Sequence, residues 1–314
     1  MAYQQFIEWR PQTKTLILLK QALSILDEFI AAGYVVTLRQ LFYQLVARDI
    51  VPNSQNEYDR ICAMMTNARK AGMADWDAIE DRARVPNVPL EFDCFKDLMQ
   101  AAYNSYRLNR WASQPVRVEL WSEKDALSSI LWPITKDHHI SLVINRGYPS
   151  VTALYSAYQR FQQTIHERQP IILYLGDHDP SGLDMIRAIR EQMDEFTEPE
   201  GWRVHIKHIG LTAAQIKRYS PPPNPAKTKD PRYKWYTKKY GDESWEVDAL
   251  RPDVLNKIVT EAIEREVEHP ERIETVKKIE TEDIKRLRRS VNRFMKKADE
   301  GGLESARKRG EWKW

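Results

Sequence analysis

Cysteine, glycine and long apolar runs are all scarce in this sequence of 314 residues. The two cysteines, Cys62 and Cys94, have no Cys-x-x-Cys partner and no histidine at metal-ligand spacing, which argues against a disulfide framework or a zinc site. The longest mostly apolar stretch, residues 16–32, is interrupted by charged side chains, so we expect no membrane contact. The N-terminus lacks the charged-then-apolar layout of a signal peptide. We therefore expect a cytoplasmic protein with reduced thiols.

The sequence also lacks a large surplus of either charge sign. Its 48 Lys and Arg residues against 45 Asp and Glu residues give a formal net charge of +3. A charge this small does not by itself indicate a nucleic-acid partner, and its distribution is more informative. Basic residues are concentrated in residues 227–239 and again in residues 285–297. A polyanionic partner is therefore permitted, in a globular chain long enough for two domains.

The first third of the chain has the periodicity of three helices. Apolar residues recur at intervals of three and four over residues 13–32, as one buried helix face requires. The capping-box pair Thr37 and Gln40 predicts the start of a second helix, and a third is predicted over residues 54–70. Three short helices with tight connections predict a winged-helix (helix-turn-helix) DNA-binding domain over residues 10–88.

After a predicted linker helix at residues 89–112, the pattern changes to alternating strands and helices. The strands are predicted at residues 116–121, 140–145, 170–176 and 202–209. Such alternation predicts an α/β domain over residues 113–265, with a mainly parallel sheet flanked by helices. Residues 220–241, rich in Pro, Lys and Tyr, are predicted to form a loop. Residues 266–314 are predicted to be a charged, helical C-terminal extension.

Acidic residues follow two of the predicted strands. Glu123 lies just past the first strand, and Asp177 and Asp179 lie just past the third. Because the carboxyl ends of parallel strands meet at one edge of a sheet, we expect these side chains to converge there. Convergent carboxylates repel one another unless a divalent cation neutralises them, and Mg²⁺ fits such a site. The sequence therefore predicts magnesium ligation by these three residues, although a helix cap or a solvated surface group is the alternative for each alone. Glu119, on the first strand itself, is expected to face a helix or an ion-pair partner.

The motifs around these acids resemble a known module. Two of them resemble the Toprim domain, the metal-binding module of topoisomerases, primases and some nucleases: Glu123-Lys124-x-Ala126 and Asp177-x-Asp179-Pro180-x-Gly182. A further motif is similar to a loop of one branch, the A subunit of type IIB topoisomerases (topoisomerase VI) and the related meiotic double-strand-break protein: Arg146-Gly147-Tyr148-Pro149. Residues 245–250 resemble the Glu-x-x-Ala-Leu stretch of that branch, and we expect them to form a buried segment that contacts the sheet. The chain is closest in length to reduced members carried by phages or mobile elements.

Residues 37–43 resemble the segment around the nucleophilic tyrosine of the same family, which has an arginine four residues before the tyrosine. Arg39 and Tyr43 occupy these positions, and the spacing places them one turn apart at the polar edge of a helix. The resemblance implies that Tyr43 attacks a DNA phosphate, forming a phosphotyrosyl link and a free 3′ hydroxyl, while Arg39 holds a phosphate. It further implies that Glu123 takes part in catalysis, with the metal site supplied by a second subunit of a homodimer. A half-buried core tyrosine is the alternative for Tyr43.

Six basic residues are candidates for contact with double-stranded DNA: Arg60, Arg69, Lys70, Arg146, Lys234 and Lys238. The first three lie on the third helix, which Arg82 and Arg84 would extend. The last two lie where cations alternate with aromatic residues, which suits phosphate contact and stacking, or equally a flexible surface loop.

Three functions remain open at this point. The first is magnesium-dependent DNA cleavage by tyrosine transesterification, as in a topoisomerase A subunit, in the nucleoid and with a separate ATPase subunit for strand passage. The second is a Toprim nuclease that hydrolyses DNA with metal alone. The third is a non-catalytic winged-helix DNA-binding protein.

Overall fold

The computed structural model describes Tyr3, residues 5–79 and residues 89–300, apart from the side chains of Phe95, Phe294, Met295 and residues 297–300. The candidate DNA contacts Arg82 and Arg84 lie outside the described residues. The chain divides into two compact units: residues up to 79 with residues 115–267, and residues 89–114 with residues 268–300. None of the helices in this described part has the length and apolar character needed to span a bilayer.

Three helices open the first unit: α1, Thr13–Ala31; α2, Leu38–Ala47; and α3, Gln55–Lys70. The Thr37 hydroxyl accepts a hydrogen bond from the Gln40 backbone N–H, and the Gln40 side chain accepts one from the Thr37 N–H. This capping box satisfies two backbone donors that a helix start would leave free, and it confirms the predicted boundary. The buried faces of the three helices form one apolar core around Leu19, Leu41 and Met65. The three predicted helices are confirmed, whereas a winged-helix domain is not shown by the described residues.

A four-stranded parallel sheet forms the rest of the core. Its strands are β1, Val116–Ser122; β2, Ser141–Ile144; β3, Gln169–Leu175; and β4, His205–Gly210. The order is β2-β1-β3-β4, and Ser122 pairs with both Ile144 and Leu175, so three strands end at one edge. The connecting helices are α5, Ser128–His138; α6, Val151–Gln162; and α7, Pro180–Thr197. The predicted α/β class, with a parallel sheet flanked by helices, is confirmed.

The segment after β4 differs from the prediction of a loop over residues 220–241. It contains β5, Asn224–Pro225, which pairs with β6, Glu243–Ser244, and a helix between them, α9, Tyr233–Tyr240. The loop prediction is therefore wrong for α9. Tyr236 and Tyr240, one helical turn apart, both pack on the His178 ring, and Tyr236 is fully buried. Tertiary burial of this aromatic face stabilises a helix that polar local composition did not predict.

Two further helices complete the first unit, and two form the second. In the first unit these are α8, Ala213–Tyr219, and α10, Pro252–Glu264. The second unit contains α4, Phe95–Ser105, and α11, Pro270–Glu300. The linker helix predicted over residues 89–112 is thus shorter than expected, because the chain beyond Ser105 bonds to α11, with the Leu108 N–H donating to Glu280 Oε2 at 2.8 Å. The predicted helical C-terminus is confirmed.

The turn that follows β3 requires a glycine at its end. A Cβ on Gly182 would lie 2.3 Å from the Asp177 carbonyl oxygen, far inside contact distance. We expect Gly182→Ala to lower the free energy of unfolding by roughly 1–3 kcal/mol, because the backbone of the turn must move. The measurement is urea denaturation.

Gly33→Ala is the matched control for this substitution. Gly33 has a φ of +80° but no atom within 4 Å of a Cβ, so it tests backbone strain without a clash. Its expected cost is about 1 kcal/mol. If Gly182→Ala proved no more destabilising than Gly33→Ala, the turn would have room that the structure does not show.

Candidate functional site

The carboxyl ends of the two central strands bring two of the predicted acids together. Glu123 follows β1 and Asp177 follows β3, and the Asp177 N–H donates to Glu123 Oε1 at 2.8 Å. The Tyr174 hydroxyl also donates to Glu123 Oε2, at 3.4 Å. Both carboxylates are buried, with exposed fractions of 8% for Glu123 and 7% for Asp177. The parallel register therefore creates a buried acidic pair where the sequence predicted convergence.

Asp179 has different hydrogen-bond partners from Glu123 and Asp177. Its Oδ1 accepts hydrogen bonds from the Gly182 N–H at 2.6 Å and the Ser181 hydroxyl at 2.9 Å, which caps the N-terminus of α7. Its Oδ2 faces the Lys227 ammonium at 3.9 Å. Among residues 5–79 and 89–300, no three His, Cys, Asp or Glu side chains have the arrangement of a metal site. In this structure each predicted ligand is held by a protein donor.

A buried lysine lies among these acids. Lys124 Nζ is 2.8 Å from Asp177 Oδ2, 3.1 Å from Glu246 Oε2 and 3.8 Å from Asp248 Oδ1. Burial lowers the pKa of this ammonium, but the negative charges of Asp248, Asp177 and Glu246 outweigh burial and raise the pKa above its ordinary value. Lys124 is part of the Glu123-Lys124-x-Ala126 motif, but no role was predicted for it. Its position next to Glu123 was the available signal.

Residues 245–250 add two acids that the sequence analysis did not include in the site. As expected, this segment is largely buried and meets the end of β3: Trp245 exchanges two backbone hydrogen bonds with His178, and the Val247 N–H donates to Asp177 Oδ1 at 2.8 Å. This pairing directs Glu246 and Asp248 toward Lys124. The resemblance to a Glu-x-x-Ala-Leu stretch was the signal that could have identified them.

Burial and neighbouring charges together set the pKa values of these acids. Burial raises the pKa of Glu123 and Asp177, and it raises the pKa of Asp248 to about 7. Burial also acts to raise the pKa of Glu246, but Lys124 and Arg39 outweigh it and lower that pKa. Both Asp248 oxygens are buried without a hydrogen bond, and the nearest charged nitrogen is Arg39 Nε at 3.5 Å. A cation close to these buried carboxylates would oppose the rise in their pKa values.

Tyr43 lies beside Arg39 on α2, as the helical spacing predicted. The Arg39 guanidinium donates to the Tyr43 oxygen at 3.4 Å and to both Glu246 carboxylate oxygens, at 2.6 and 2.5 Å. Tyr43 is nevertheless only 3% exposed, because Asn224 also contacts its hydroxyl. Burial and the charges of Glu246 and Asp248 raise the pKa of the Tyr43 phenol, against the opposing effect of Arg39 and Asn224. The expected accessible position at a helix edge is thus covered by distant segments of the same unit.

Tyr43 nevertheless shares one cleft of about 360 Å³ with two of the acids, Asp179 and Glu246. Tyr43 and Arg39 line one part of it, and Asp179 and Glu246 line another. Its lining also includes Asn53, Tyr58, Asn224 and Lys227. One chain therefore supplies the tyrosine and two acidic residues to this cleft. The contribution from a second subunit that the family resemblance implied stays a prediction.

The candidate DNA contacts have varied surroundings. On α3, Arg60 pairs with Glu57 at 2.6 Å, and the Arg69 guanidinium lies over the Trp76 ring at 5.0 Å. Lys70 is exposed. Two of the three candidates on this helix are thus already engaged by neighbouring side chains.

The other three candidates lie nearer the sheet and α9. Arg146 is paired with Asp125 at 2.9 Å and its side chain is 68% exposed. Lys234 and Lys238 are exposed on α9, one turn apart, next to Trp235, which is 52% exposed. These two lysines keep a solvent-facing position with an adjacent aromatic ring, although the segment is a helix and not the predicted loop.

Carboxylates, a phenol and basic side chains in one cleft are suited to the binding and transfer of a phosphodiester. No protein-family model matches the chain, and none of the curated proteins matches it.

Proposed function

We propose that this chain cleaves DNA in a magnesium-dependent reaction with Tyr43 as the nucleophile, in the manner of a type IIB topoisomerase A subunit. The observation that carries the proposal is the shared cleft, in which Tyr43 and Arg39 face Asp179 and Glu246. In this proposal the α/β domain is Toprim-like, α1 to α3 belong to a winged-helix domain, and the active protein is a homodimer on double-stranded DNA. An ATPase subunit would be a separate polypeptide.

The chemistry of the donor set suits magnesium. The acids are carboxylates, which hard divalent cations prefer, and the buried Asp248 oxygens accept no hydrogen bond. Glu123, Asp177 and Asp179 would hold the ion. When bound, magnesium would neutralise part of the carboxylate charge and polarise a phosphate oxygen. Lys124 and Arg39 balance part of that charge in its absence.

The proposed step is an exchange of phosphoester bonds. The Tyr43 oxygen forms a bond to a backbone phosphorus while the bond from that phosphorus to the 3′ oxygen breaks. The phenol loses its proton, and the 3′ oxygen gains one to become a free hydroxyl. Attack by that hydroxyl on the phosphotyrosine reverses the step and reseals the strand. Arg39 lies one turn from Tyr43, where its guanidinium can pair with the phosphate under attack.

Hydrolysis by metal alone is the second candidate, and the burial of Tyr43 favours it. A phenol that is 3% exposed and has a raised pKa is a poor nucleophile until it is uncovered or ionised. In that case Tyr43 is a structural residue of the α2 core, and the acids act on a phosphodiester and water.

Covalent trapping separates these two candidates. Wild-type protein, magnesium and duplex DNA labelled at the 3′ ends are mixed, denatured and run on a denaturing gel. We expect labelled protein, because the fragment with the 5′ phosphotyrosyl link retains the label. Tyr43→Phe is expected to give no labelled protein, and Asp177→Asn or EDTA should strongly reduce it.

Tyr58→Phe is the matched control for trapping. Tyr58 lines the same cleft from α3, so its substitution removes a hydroxyl there without removing the nucleophile. We expect it to retain adduct formation. Adduct formation by Tyr43→Phe would contradict the assignment of the nucleophile, and cleavage by wild type without any adduct would support the hydrolytic candidate.

A further inference from the structure

We propose that Asn224 is a second catalytic residue, which donates a hydrogen bond to the Tyr43 oxygen, and that Asn53 is the positioning residue that fixes the Asn224 amide. This inference rests on the proposed function of Tyr43 as the nucleophile. It assigns roles to two neutral side chains in the lining of the cleft.

The orientation of both amides follows from a backbone acceptor. Asn53 Nδ2 donates to the Pro223 carbonyl oxygen at 2.8 Å, and that carbonyl can only accept. The same amino group donates to Asn224 Oδ1, also at 2.8 Å. Asn224 therefore directs its own amino group elsewhere, and Nδ2 donates to the Tyr43 oxygen at 3.3 Å. A flipped Asn224 amide would place two amino groups face to face.

The two side chains are held on ordered elements. Asn53 immediately precedes Ser54, the N-cap of α3, whose hydroxyl accepts from the Glu57 N–H. Asn224 lies in β5 opposite Ser244 of β6, and the Ser244 hydroxyl donates to the Asn224 carbonyl oxygen at 3.3 Å. Catalytic groups on such elements need little reorganisation before reaction.

Within the part of the chain that the structure describes, the Tyr43 oxygen accepts hydrogen bonds from two donors, Arg39 and Asn224. Donors that point at a phenol oxygen stabilise the phenolate more than the neutral phenol. That support matters here because Glu246 and Asp248 of the neighbouring segment oppose a negative charge on Tyr43. Further ionisable groups that line the cleft are Asp179, Lys227 and, on α3, Tyr58. The pair of donors thus offsets the cost of ionising a buried nucleophile beside two carboxylates.

The test measures ionisation of Tyr43 in the full chain without DNA. The protein is produced with 3,5-difluorotyrosine, which is more acidic than tyrosine and so titrates where the chain remains folded. The fluorine resonance that is missing in Tyr43→Phe identifies Tyr43 among the 14 tyrosines. We expect Asn224→Ala to raise the Tyr43 pKa by about one to two pH units, the effect of one hydrogen bond to a charged group. Asn53→Ala should raise it in the same direction by less.

Asn256→Ala is the matched control. Asn256 hydrogen-bonds to Tyr34, so its removal should move the resonance of Tyr34 and leave the titration of Tyr43 unchanged. A merely structural effect of Asn224→Ala or Asn53→Ala on folding would not raise the Tyr43 pKa. An unchanged or lower Tyr43 pKa in Asn224→Ala would overturn the inference.

Adduct formation distinguishes this inference from the proposed function. In the trapping assay with wild-type protein, Asn224→Ala should slow adduct formation about tenfold or more at neutral pH and less at high pH. If wild type forms an adduct but Asn224→Ala forms it equally fast, the inference fails and the proposed function stands. If wild type forms no adduct although the pKa rises in Asn224→Ala, the proposed function fails, and the catalytic role of Asn224 fails with it.

Discussion

Replacing Arg160 with alanine is expected to lower the free energy of unfolding of this chain by about 3–5 kcal/mol. Glu119 lies on β1 with an exposed fraction of 0%, and its carboxylate accepts from Arg160 Nε at 2.9 Å and from a terminal Arg160 nitrogen at 2.8 Å. Its other hydrogen bond comes from Trp121 Nε1 at 3.1 Å. The substitution would leave a carboxylate inside the sheet with one neutral donor. Urea denaturation at neutral pH measures the effect.

Arg187→Ala is the matched control for Arg160→Ala. Arg187 also lies on a helix and also contacts two carboxylate groups, those of Asp184 and Glu191, but its side chain is 57% exposed. Because solvent screens such pairs, we expect a much smaller loss than for Arg160→Ala. Adding Glu119→Gln to Arg160→Ala should recover part of the larger loss, since the amide is neutral. Equal losses in Arg160→Ala and Arg187→Ala would mean that burial of the pair contributes nothing.

The Glu119–Arg160 pair also shows what local sequence could predict. A charged residue at an alternating position of a buried strand indicates a partner, and the structure confirms one on α6. Helical periodicity likewise predicted α1 to within a residue, and the Thr37–Gln40 capping box predicted the start of α2. These features depend on contacts within one element or on the pleat of one strand, so the sequence pattern contains them.

Features set by contacts between distant segments were not predictable in this way. Helical spacing placed Tyr43 beside Arg39 but could not show that Asn224, far along the chain, would contact the same hydroxyl. Spacing also placed the acids at strand ends but gave no sign that Lys124 would lie between Asp177 and Glu246. α9 formed for a similar reason, because Tyr236 is buried against a residue that follows β3. Periodicity identifies the face that is buried, and the tertiary fold decides what covers it.

Replacing Asp248 with asparagine is expected to remove a pH-dependent contribution of about 4 kcal/mol to the free energy of unfolding. Burial raises the pKa of Asp248 from its ordinary value of 3.8 to about 7 in the folded chain. The unfolded chain therefore loses this proton near pH 4, whereas the folded chain keeps it until about pH 7. The contribution of Asp248 to stability is fully present below pH 4 and is lost as the pH rises through 7. Each pH unit between these values is worth about 1.4 kcal/mol.

The difference between the two proteins isolates this effect. Burial lowers the pKa of both His178 and His208, and a base with a lowered pKa contributes stability of the opposite trend, rising over acidic pH. Both histidines are present in wild type and in Asp248→Asn, so their contribution cancels when the free energies of unfolding are subtracted. We expect wild type to lose stability relative to Asp248→Asn steadily between pH 4 and pH 8, in EDTA.

Asp253→Asn is the matched control for Asp248→Asn. Asp253 lies in the first turn of α10, and its side chain is 53% exposed. With Asp253→Asn, the free energy of unfolding plotted against pH should therefore stay parallel to that of wild type within about 0.5 kcal/mol. A pH-independent difference between wild type and Asp248→Asn would mean that Lys124 and Arg39 neutralise Asp248 completely. The acids would then have no excess charge for a divalent cation to relieve, and the magnesium part of the proposed function would lose its electrostatic basis. If wild type instead loses stability relative to Asp248→Asn as the pH rises, Asp248 is protonated in the folded chain at acidic pH. At pH 8 its carboxylate is charged, and a cation would neutralise that charge.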